Sequence, residues 1–306
     1  GPRCARRCSR AAGRDRVGNH SEVSNAAGPQ VCYLHPDRPA FIQCQRCHRY
    51  ICPQDMNEAS VGFQCGNCVA EGQAAVRQPR TIAGGAISTN VGAITMAIIA
   101  INVAAQLVVM FQGGPGQSGL FEWGAMWGWG VAQGQWWRLL TAAFLHGSLM
   151  HIAFNMYALY LFGPQAEHLL GRWRFIASYV TVAVGSSVVV YLFEDPQVAT
   201  IGASGAVFGL FGLSLIYLLR TKQSLNGMLI LLAINAVISL QSGISWQGHL
   251  GGFITGLVLG VAFGYAPKDK RTLVHLGTFV GLWVLFAIAI SWRTENLIGS
   301  LVPGLT

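Results

Sequence analysis

Charged residues are scarce in this sequence. Only 10% of the 306 residues are charged, whereas 52% are hydrophobic. Soluble domains usually have about a quarter of their residues charged. The low charged fraction therefore argues against a large water-soluble domain and predicts a chain that lies mainly in a bilayer. The net charge of +8 is not taken as a sign of nucleic-acid binding. The basic residues fall in the N-terminal region and in alternate short loops, a pattern that is typical of oriented membrane proteins.

Cysteine is absent from the chain after residue 68. All eight cysteines precede the first apolar stretch, and their C-x-x-C spacing beside His35 and Asp55 favours metal ligation over a disulfide framework. Thiolate zinc sites need a reducing compartment, so we expect this region to face the cytosol. The cysteines are Cys4, Cys8, Cys32, Cys44, Cys47, Cys52, Cys65 and Cys68.

The first thirty residues lack an apolar stretch of the length that a secretory signal peptide requires. They are rich in arginine and lack the apolar face of a mitochondrial transit peptide, so they predict a disordered tail. The expected organisation is a basic tail (1–30), a zinc-binding domain (31–70), a linker (71–90), a transmembrane domain (91–292) and a C-terminal tail (293–306).

Seven apolar stretches follow the linker, each near the ~20 residues that cross a hydrocarbon core. The fourth to sixth are short and interrupted by glycine. We expect spans at Val91–Gln112, Leu139–Phe162, Phe175–Phe193, Ser204–Leu219, Gly227–Leu240, Gly248–Tyr265 and Leu273–Trp292.

The loops between these stretches predict the orientation. Basic residues precede the first span and follow the second, fourth and sixth, which places the N-terminus in the cytoplasm. We therefore expect a multi-pass protein of the plasma membrane, of the kind found in a bacterial cell membrane. The basic residues are Arg77, Arg80, Arg172, Arg174, Arg220, Lys222, Lys268, Lys270 and Arg271.

Polar residues inside a bilayer are costly, so Ser204 and His249 suggest a function. Ser204 lies 16 residues before Arg220 and His249 lies 19 residues before Lys268, or about 24 and 28 Å of helix. Both side chains would then lie at the same depth, near the outer leaflet. A single intramembrane histidine, taken alone, is explained equally well by a structural role as a packed, hydrogen-bonded contact between helices.

The two helices that carry Ser204 and His249 contain small residues at four-residue spacing. Such stripes let helix backbones approach closely in lipid, and here the approach would bring the imidazole to the hydroxyl. The stripe would serve helix packing whether or not Ser204 and His249 are catalytic. It consists of Gly248, Gly252, Gly256, Gly260 and Gly264, and Gly205 and Gly209 lie on the other helix.

A histidine near a serine is the arrangement of a nucleophile and its general base. All twelve acidic residues are expected in tails or loops, so the sequence predicts a dyad rather than a triad. His151 and Asn155 share one helix face and are candidates for the oxyanion site, together with the backbone N–H of Ser204. They are alternatively interhelical contacts.

Four motifs resemble those of rhomboid intramembrane proteases, in the same order. They cover about Val91–Trp292. The motifs are Gly202-Ala203-Ser204-Gly205 (G-x-S-G), Gly248-His249-Leu250-Gly251-Gly252 with Gly256 (A-H-x-x-G-x-x-x-G, with glycine in place of alanine), His146 with His151 and Asn155 (H-x-x-x-x-H-x-x-x-N), and Trp137-Arg138 in the first loop.

The resemblance implies an all-α polytopic membrane protein, with a six-helix core and a seventh C-terminal helix. It implies a serine endopeptidase that cleaves transmembrane helices of membrane-protein substrates near their outer ends. Ser204 would be the nucleophile and His249 the base, with His151 and Asn155 in the oxyanion site. His146 would support the first loop.

The cysteine-rich region has four paired ligands, which would hold two structural zinc ions. Interleaved pairing assigns Cys32, His35, Cys52 and Asp55 to one ion, and Cys44, Cys47, Cys65 and Cys68 to the other. The first six ligands resemble a B-box zinc finger, with Cys65 and Cys68 in place of that family's final histidines. No metal is expected in catalysis.

Several alternatives follow from the same residues. The zinc domain is expected to bind a cytosolic protein, because its three arginines are weak grounds for nucleic-acid binding. An inactive rhomboid-like scaffold would bind transmembrane helices without cutting them, but it would be expected to lack the serine or the histidine. A transporter would be expected to have charged residues or repeats within its spans, and the sequence indicates neither.

Overall fold

A computed structural model describes residues 30–76, 80–81, 83–85, 90–241 and 243–301. The expected basic tail, with Cys4 and Cys8, lies outside the described residues apart from Gln30, as does much of the expected linker. The chain divides into two compact units, residues 1–77 and 78–306.

The N-terminal unit consists of two short antiparallel hairpins and one helix. Its buried apolar side chains are few, and cysteines are prominent among them: Cys44, Cys65 and Cys68 pack with Ile51. A core this small stabilises a fold weakly without metal or disulfides. The elements are β1 (Ile42–Gln43) paired with β2 (Tyr50–Ile51), β3 (Asn57–Glu58) paired with β4 (Phe63–Gln64), and α1 (Gly66–Ala75).

The second unit is helical, as the fold class predicted. One two-stranded ribbon, β5 (Met126–Trp127) with β6 (Ala199–Thr200), joins the first loop to the segment before Ser204. The helices are α2 (Ala93–Phe111), α3 (Gly119–Gly124), α4 (Gly128–Ala132), α5 (Arg138–Thr141), α6 (Leu149–Leu170), α7 (Arg172–Phe193), α8 (Ser204–Thr221), α9 (Asn226–Ser239), α10 (Trp246–Tyr265) and α11 (Arg271–Leu301).

Within the described residues, five helices are long and apolar enough to cross a membrane. The bent pair Arg138–Phe144 and Leu149–Leu170, with an angle of 94°, raises this number to up to six. The structure therefore differs from the continuous second span expected at Leu139–Phe162. Helix α9 is apolar but has 14 residues, fewer than any of these five helices, and α11 continues through most of the expected C-terminal tail.

Helix α6 also continues beyond the expected end of the second span at Phe162. It carries Glu167, which is buried within the helix and does not lie in a loop as expected. The Glu167 carboxylate accepts hydrogen bonds from the backbone N–H groups of Ile94 and Thr95, each 3.1 Å away. These donors belong to the first turn of α2, where backbone N–H groups have no partner within the helix and negative charge is favourable.

Glycine determines how closely α8 and α10 pack. A Cβ atom at Gly252 would overlap the carbonyl oxygen of Gly205, and one at Gly256 would overlap the carbonyl oxygen of Gly209. The two backbones are therefore in direct contact along the stripe that the sequence predicted. This contact places the N-terminal ends of α8 and α10 side by side.

Candidate active site and metal-binding clusters

Ser204 and His249 meet at the adjoining ends of α8 and α10. Ser204 is the first residue of α8, and His249 lies in the first turn of α10. The Ser204 Oγ atom is 2.8 Å from the His249 Nε2 atom, which is hydrogen-bonding distance. The hydroxyl is thus paired with a group that can accept its proton.

Two further side chains hold the His249 ring. Phe208 stacks on it with ring centroids 4.1 Å apart and an interplanar angle of 8°. The other ring nitrogen, Nδ1, lies 2.6 Å from the Ser239 Oγ atom at the end of α9. His249 is 9% exposed, so these contacts fix the ring in a largely dry site.

Neither contact was predicted from the sequence. Phe208 follows Ser204 by four residues, so it lies on the same helix face, and that spacing was a usable signal. Ser239 lies on another helix ten residues before His249, and its sequence spacing gives no such signal.

Gly202 lies beside both Ser204 and His151. Gly202 adopts a φ of +120°, and a Cβ there would lie 2.7 Å from His151 Nε2 and 3.7 Å from Ser204 Oγ. The Gly202 backbone is therefore next to both side chains, and a Cβ at this position would come too close to the His151 ring. His151 Nε2 thus lies near Ser204, where it can donate to an oxygen that develops negative charge.

The other predicted site residues lie close by on or before α6. The Asn155 side-chain amide donates to the His151 carbonyl at 2.9 Å. His146 packs edge-on against the His151 ring at 4.9 Å and lies 3.4 Å from the backbone nitrogen of Ala203. His146 therefore contacts the segment before Ser204, and its support of the first loop stays a prediction.

The Trp137-Arg138 pair holds the first loop. Arg138 Nη1 donates to the carbonyl oxygens of Glu122 and Ala125 at 2.6 and 2.7 Å, and Trp137 Nε1 donates to the Trp123 carbonyl at 3.0 Å. Backbone carbonyls in an irregular loop need such donors when they are buried.

Four cysteines of the N-terminal unit form one candidate metal cluster. Ligand atoms of Cys44, Cys47, Cys65 and Cys68 lie within 4.8 Å of one another. The Cys47 and Cys65 sulfurs are 3.8 Å apart, close to the ~3.8 Å that two thiolates bound tetrahedrally to zinc would show. None of the described cysteines forms a disulfide.

The electrostatics of this cluster also suit a cation. Burial raises the pKa of the Cys44 thiol, but backbone N–H donors outweigh it and lower the pKa to about 6. Burial and the neighbouring cysteines raise the pKa of Cys68 to about 12. Because its neighbours oppose ionisation of Cys68, a divalent metal would stabilise a thiolate that the protein alone does not favour.

The second cluster contains Cys32, His35, Cys52 and Asp55. The His35 Nδ1 atom is 3.9 Å from the Cys32 sulfur and 3.6 Å from the Cys52 sulfur. The Asp55 carboxylate accepts from Cys32 at 3.0 Å and from Cys52 at 3.2 Å, and hydrogen bonds of this kind lower its pKa. The two clusters contain the same residues as the interleaved pairing.

Comparison with known proteins places the membrane unit in one family. The Rhomboid domain matches residues 133–266. The chain is 35% identical over 148 residues to the putative rhomboid protease YdcA of Bacillus subtilis, covering 46% of this chain and 73% of that protein.

Two other relatives are rhomboid proteases by name. AarA of Providencia stuartii is 25% identical over 211 residues, which cover 58% of this chain and 75% of AarA. GluP of Bacillus subtilis is 34% identical over 145 residues, which cover 45% of this chain and 28% of GluP. The chain therefore belongs to the rhomboid family.

Proposed function

We propose that this protein is an intramembrane serine endopeptidase that hydrolyses peptide bonds in transmembrane helices of membrane-protein substrates. The observation that carries the proposal is the 2.8 Å contact between Ser204 Oγ and His249 Nε2 at the predicted positions. The names of the relatives support the reaction class. Ser204 is the nucleophile and His249 the general base.

The reaction follows from this geometry. His249 Nε2 accepts the Ser204 proton as Oγ attacks the scissile carbonyl carbon, and the carbonyl electron pair moves to its oxygen. Collapse of the tetrahedral intermediate expels the amine, which takes the proton from Nε2, and leaves an acyl ester on Ser204. Water then attacks the ester with His249 again acting as base, which releases the carboxylic acid and restores the serine.

In this proposal the oxyanion forms next to Gly202 and Ser204. His151 Nε2 lies beside Gly202, and the backbone N–H of Ser204 begins α8, where an N–H has no partner in its own helix. Asn155 lies one helical turn after His151 and has a second amide N–H available to donate. Donors of this kind contribute roughly 10²- to 10³-fold each to acyl transfer.

The membrane setting completes the proposal. The orientation of the loop charges supports a cytoplasmic N-terminus and an active site near the outer face of a plasma membrane, bacterial in type. The two ligand clusters would hold two structural zinc ions, and the N-terminal unit would serve as a docking surface for a cytosolic protein. An inactive scaffold is less well supported, because the serine and the histidine are both present and paired.

Covalent trapping tests the nucleophile. A fluorophosphonate reacts with a serine that an adjacent base activates, so we expect the lipid-reconstituted full-length protein to be labelled on Ser204. Peptide mass spectrometry locates the adduct. Ser214, which is buried in the same helix, is the internal control and should stay unlabelled.

Loss of Ser204 labelling in His249→Ala would support the role of His249 as the general base. Labelling of Ser214, or of Ser204 equally well without His249, would contradict the proposal.

Gly202→Ala tests the proposed oxyanion position. The new Cβ would lie 2.7 Å from His151 Nε2, on a backbone with φ +120° that alanine rarely adopts. We expect kcat for a transmembrane substrate to fall at least about 100-fold, the effect of losing one oxyanion donor. Gly147→Ala is the matched control, because its Cβ would make an ordinary contact with Ile201 at 3.5 Å.

Full activity in both Gly202→Ala and Gly147→Ala would show that the oxyanion forms elsewhere. Circular dichroism and thermal unfolding of both variants separate a local effect from loss of the fold.

A further inference from the structure

The hydroxyl of Ser239 makes two hydrogen bonds at the end of α9. Its Oγ atom lies 2.7 Å from the backbone carbonyl of Asn235 and 2.6 Å from Nδ1 of His249. Ser239 is 5% exposed, so water does not readily replace either partner. Among the described residues of α9, the other buried side chain is Met228.

Proton accounting assigns the direction of both bonds. A serine hydroxyl has one proton to donate and lone pairs to accept with. The Asn235 carbonyl can only accept, so the Ser239 proton points towards it. Ser239 Oγ is then an acceptor for His249, and the proton between them belongs to Nδ1.

This arrangement selects one tautomer of the imidazole. With the proton on Nδ1, the Nε2 atom carries the lone pair that faces Ser204 Oγ at 2.8 Å. The opposite tautomer would direct an N–H at the nucleophile and could not remove its proton. In serine proteases with a triad, a carboxylate fixes the tautomer, and no acidic side chain contacts His249 among the described residues.

We infer that Ser239 is a positioning residue that holds His249 in its base-competent tautomer. The inference deepens the proposed function and rests on it. When Nε2 takes the Ser204 proton, the ring becomes an imidazolium whose Nδ1–H still donates to Ser239 Oγ. Ser239 therefore stabilises the charged ring with an oriented hydroxyl dipole. Because Ser239 lies on α9 and His249 on α10, the bond lasts only while the end of α9 stays beside α10.

Kinetics of lipid-reconstituted full-length variants test this role. We expect Ser239→Ala to lower kcat for a transmembrane substrate roughly 10- to 100-fold, the effect of losing one hydrogen bond to a charged group, with KM unchanged. Ser239→Thr keeps the hydroxyl and should restore most of kcat. Ser178→Ala, which removes another buried hydroxyl, should match the wild type.

Nitrogen-15 NMR of ring-labelled histidine reads the tautomer directly. The His249 signals are identified by their loss in His249→Asn. The wild type and Ser204→Ala should both show a protonated Nδ1, and Ser239→Ala should shift the population towards a protonated Nε2. A protonated Nε2 in the wild type, or a tautomer that Ser239→Ala leaves unchanged, would overturn the inference.

The two measurements separate the inference from the proposed function. Absence of hydrolysis in every variant, with Nδ1 still protonated through Ser239, would count against the protease but not against the positioning role. Full kcat in Ser239→Ala would count against the positioning role alone.

Discussion

Ser204→Ala is expected to abolish hydrolysis of transmembrane substrates. The substitution removes the only oxygen that His249 Nε2 contacts at 2.8 Å among the described residues, and water has no comparable position from which to attack. Loss of a serine nucleophile typically costs at least about 10⁴-fold in kcat. The measurement is fragment release from a substrate helix reconstituted in the same vesicles, followed by gel electrophoresis and mass spectrometry.

The control variants change another serine of α8 and the other member of the dyad. Ser214→Ala removes a hydroxyl that is buried ten residues further along α8 and should leave cleavage unchanged. His249→Ala should be as inactive as Ser204→Ala, and the double variant no worse than either, because the two side chains act as one unit. Cleavage by Ser204→Ala at the wild-type rate would remove the proposed nucleophile.

The glycine stripe explains why much of the membrane unit was predictable. Small residues every four positions on α10 predict close backbone contact in lipid, and Gly252 does lie against the Gly205 carbonyl. Given that contact, the near-equal depths of Ser204 and His249 bring the two side chains together. The spacing of residues along the two helices and one packing rule were sufficient to predict that Ser204 and His249 lie close together.

The break in the second predicted span was not predictable from hydropathy. Residues on both sides of it are apolar, yet Leu145 is extended and the Ser148 hydroxyl accepts from the His151 backbone N–H to start α6. A serine followed by an apolar stretch is a start signal for a helix. Hydropathy alone does not reveal it, because the apolar stretch continues across the serine.

Glu167 shows a second limit of the sequence. An acidic residue near the end of an apolar stretch suggests a loop, since a buried carboxylate is costly. The cost is offset by backbone N–H donors of α2 more than seventy positions away in the chain. Ser239 is a similar case, because its partner becomes visible only once α9 and α10 are placed. The distant partner of a single polar side chain is therefore what could not be predicted from the sequence.

Removal of metal is expected to unfold the N-terminal unit. Its buried side chains include Cys44, Cys65 and Cys68, so little apolar area is left to stabilise it once the ligands lose their ion. Structural zinc contributes about 10–16 kcal/mol in small modules of this kind, which exceeds the stability of most small domains. Cys44→Ser, which removes one ligand, should have the same effect as a chelator.

Limited proteolysis of the full-length protein, with metal content measured in parallel, tests this expectation. The purified protein should contain two zinc ions, and chelation should expose residues 30–76 to cleavage while the 78–306 unit stays intact and keeps its peptidase activity. His48→Asn, which replaces an exposed histidine that belongs to neither cluster, is the matched control and should retain both ions. Resistance of the metal-free unit to the protease would show that its core folds without zinc, whereas loss of peptidase activity on chelation would show that the two units depend on each other.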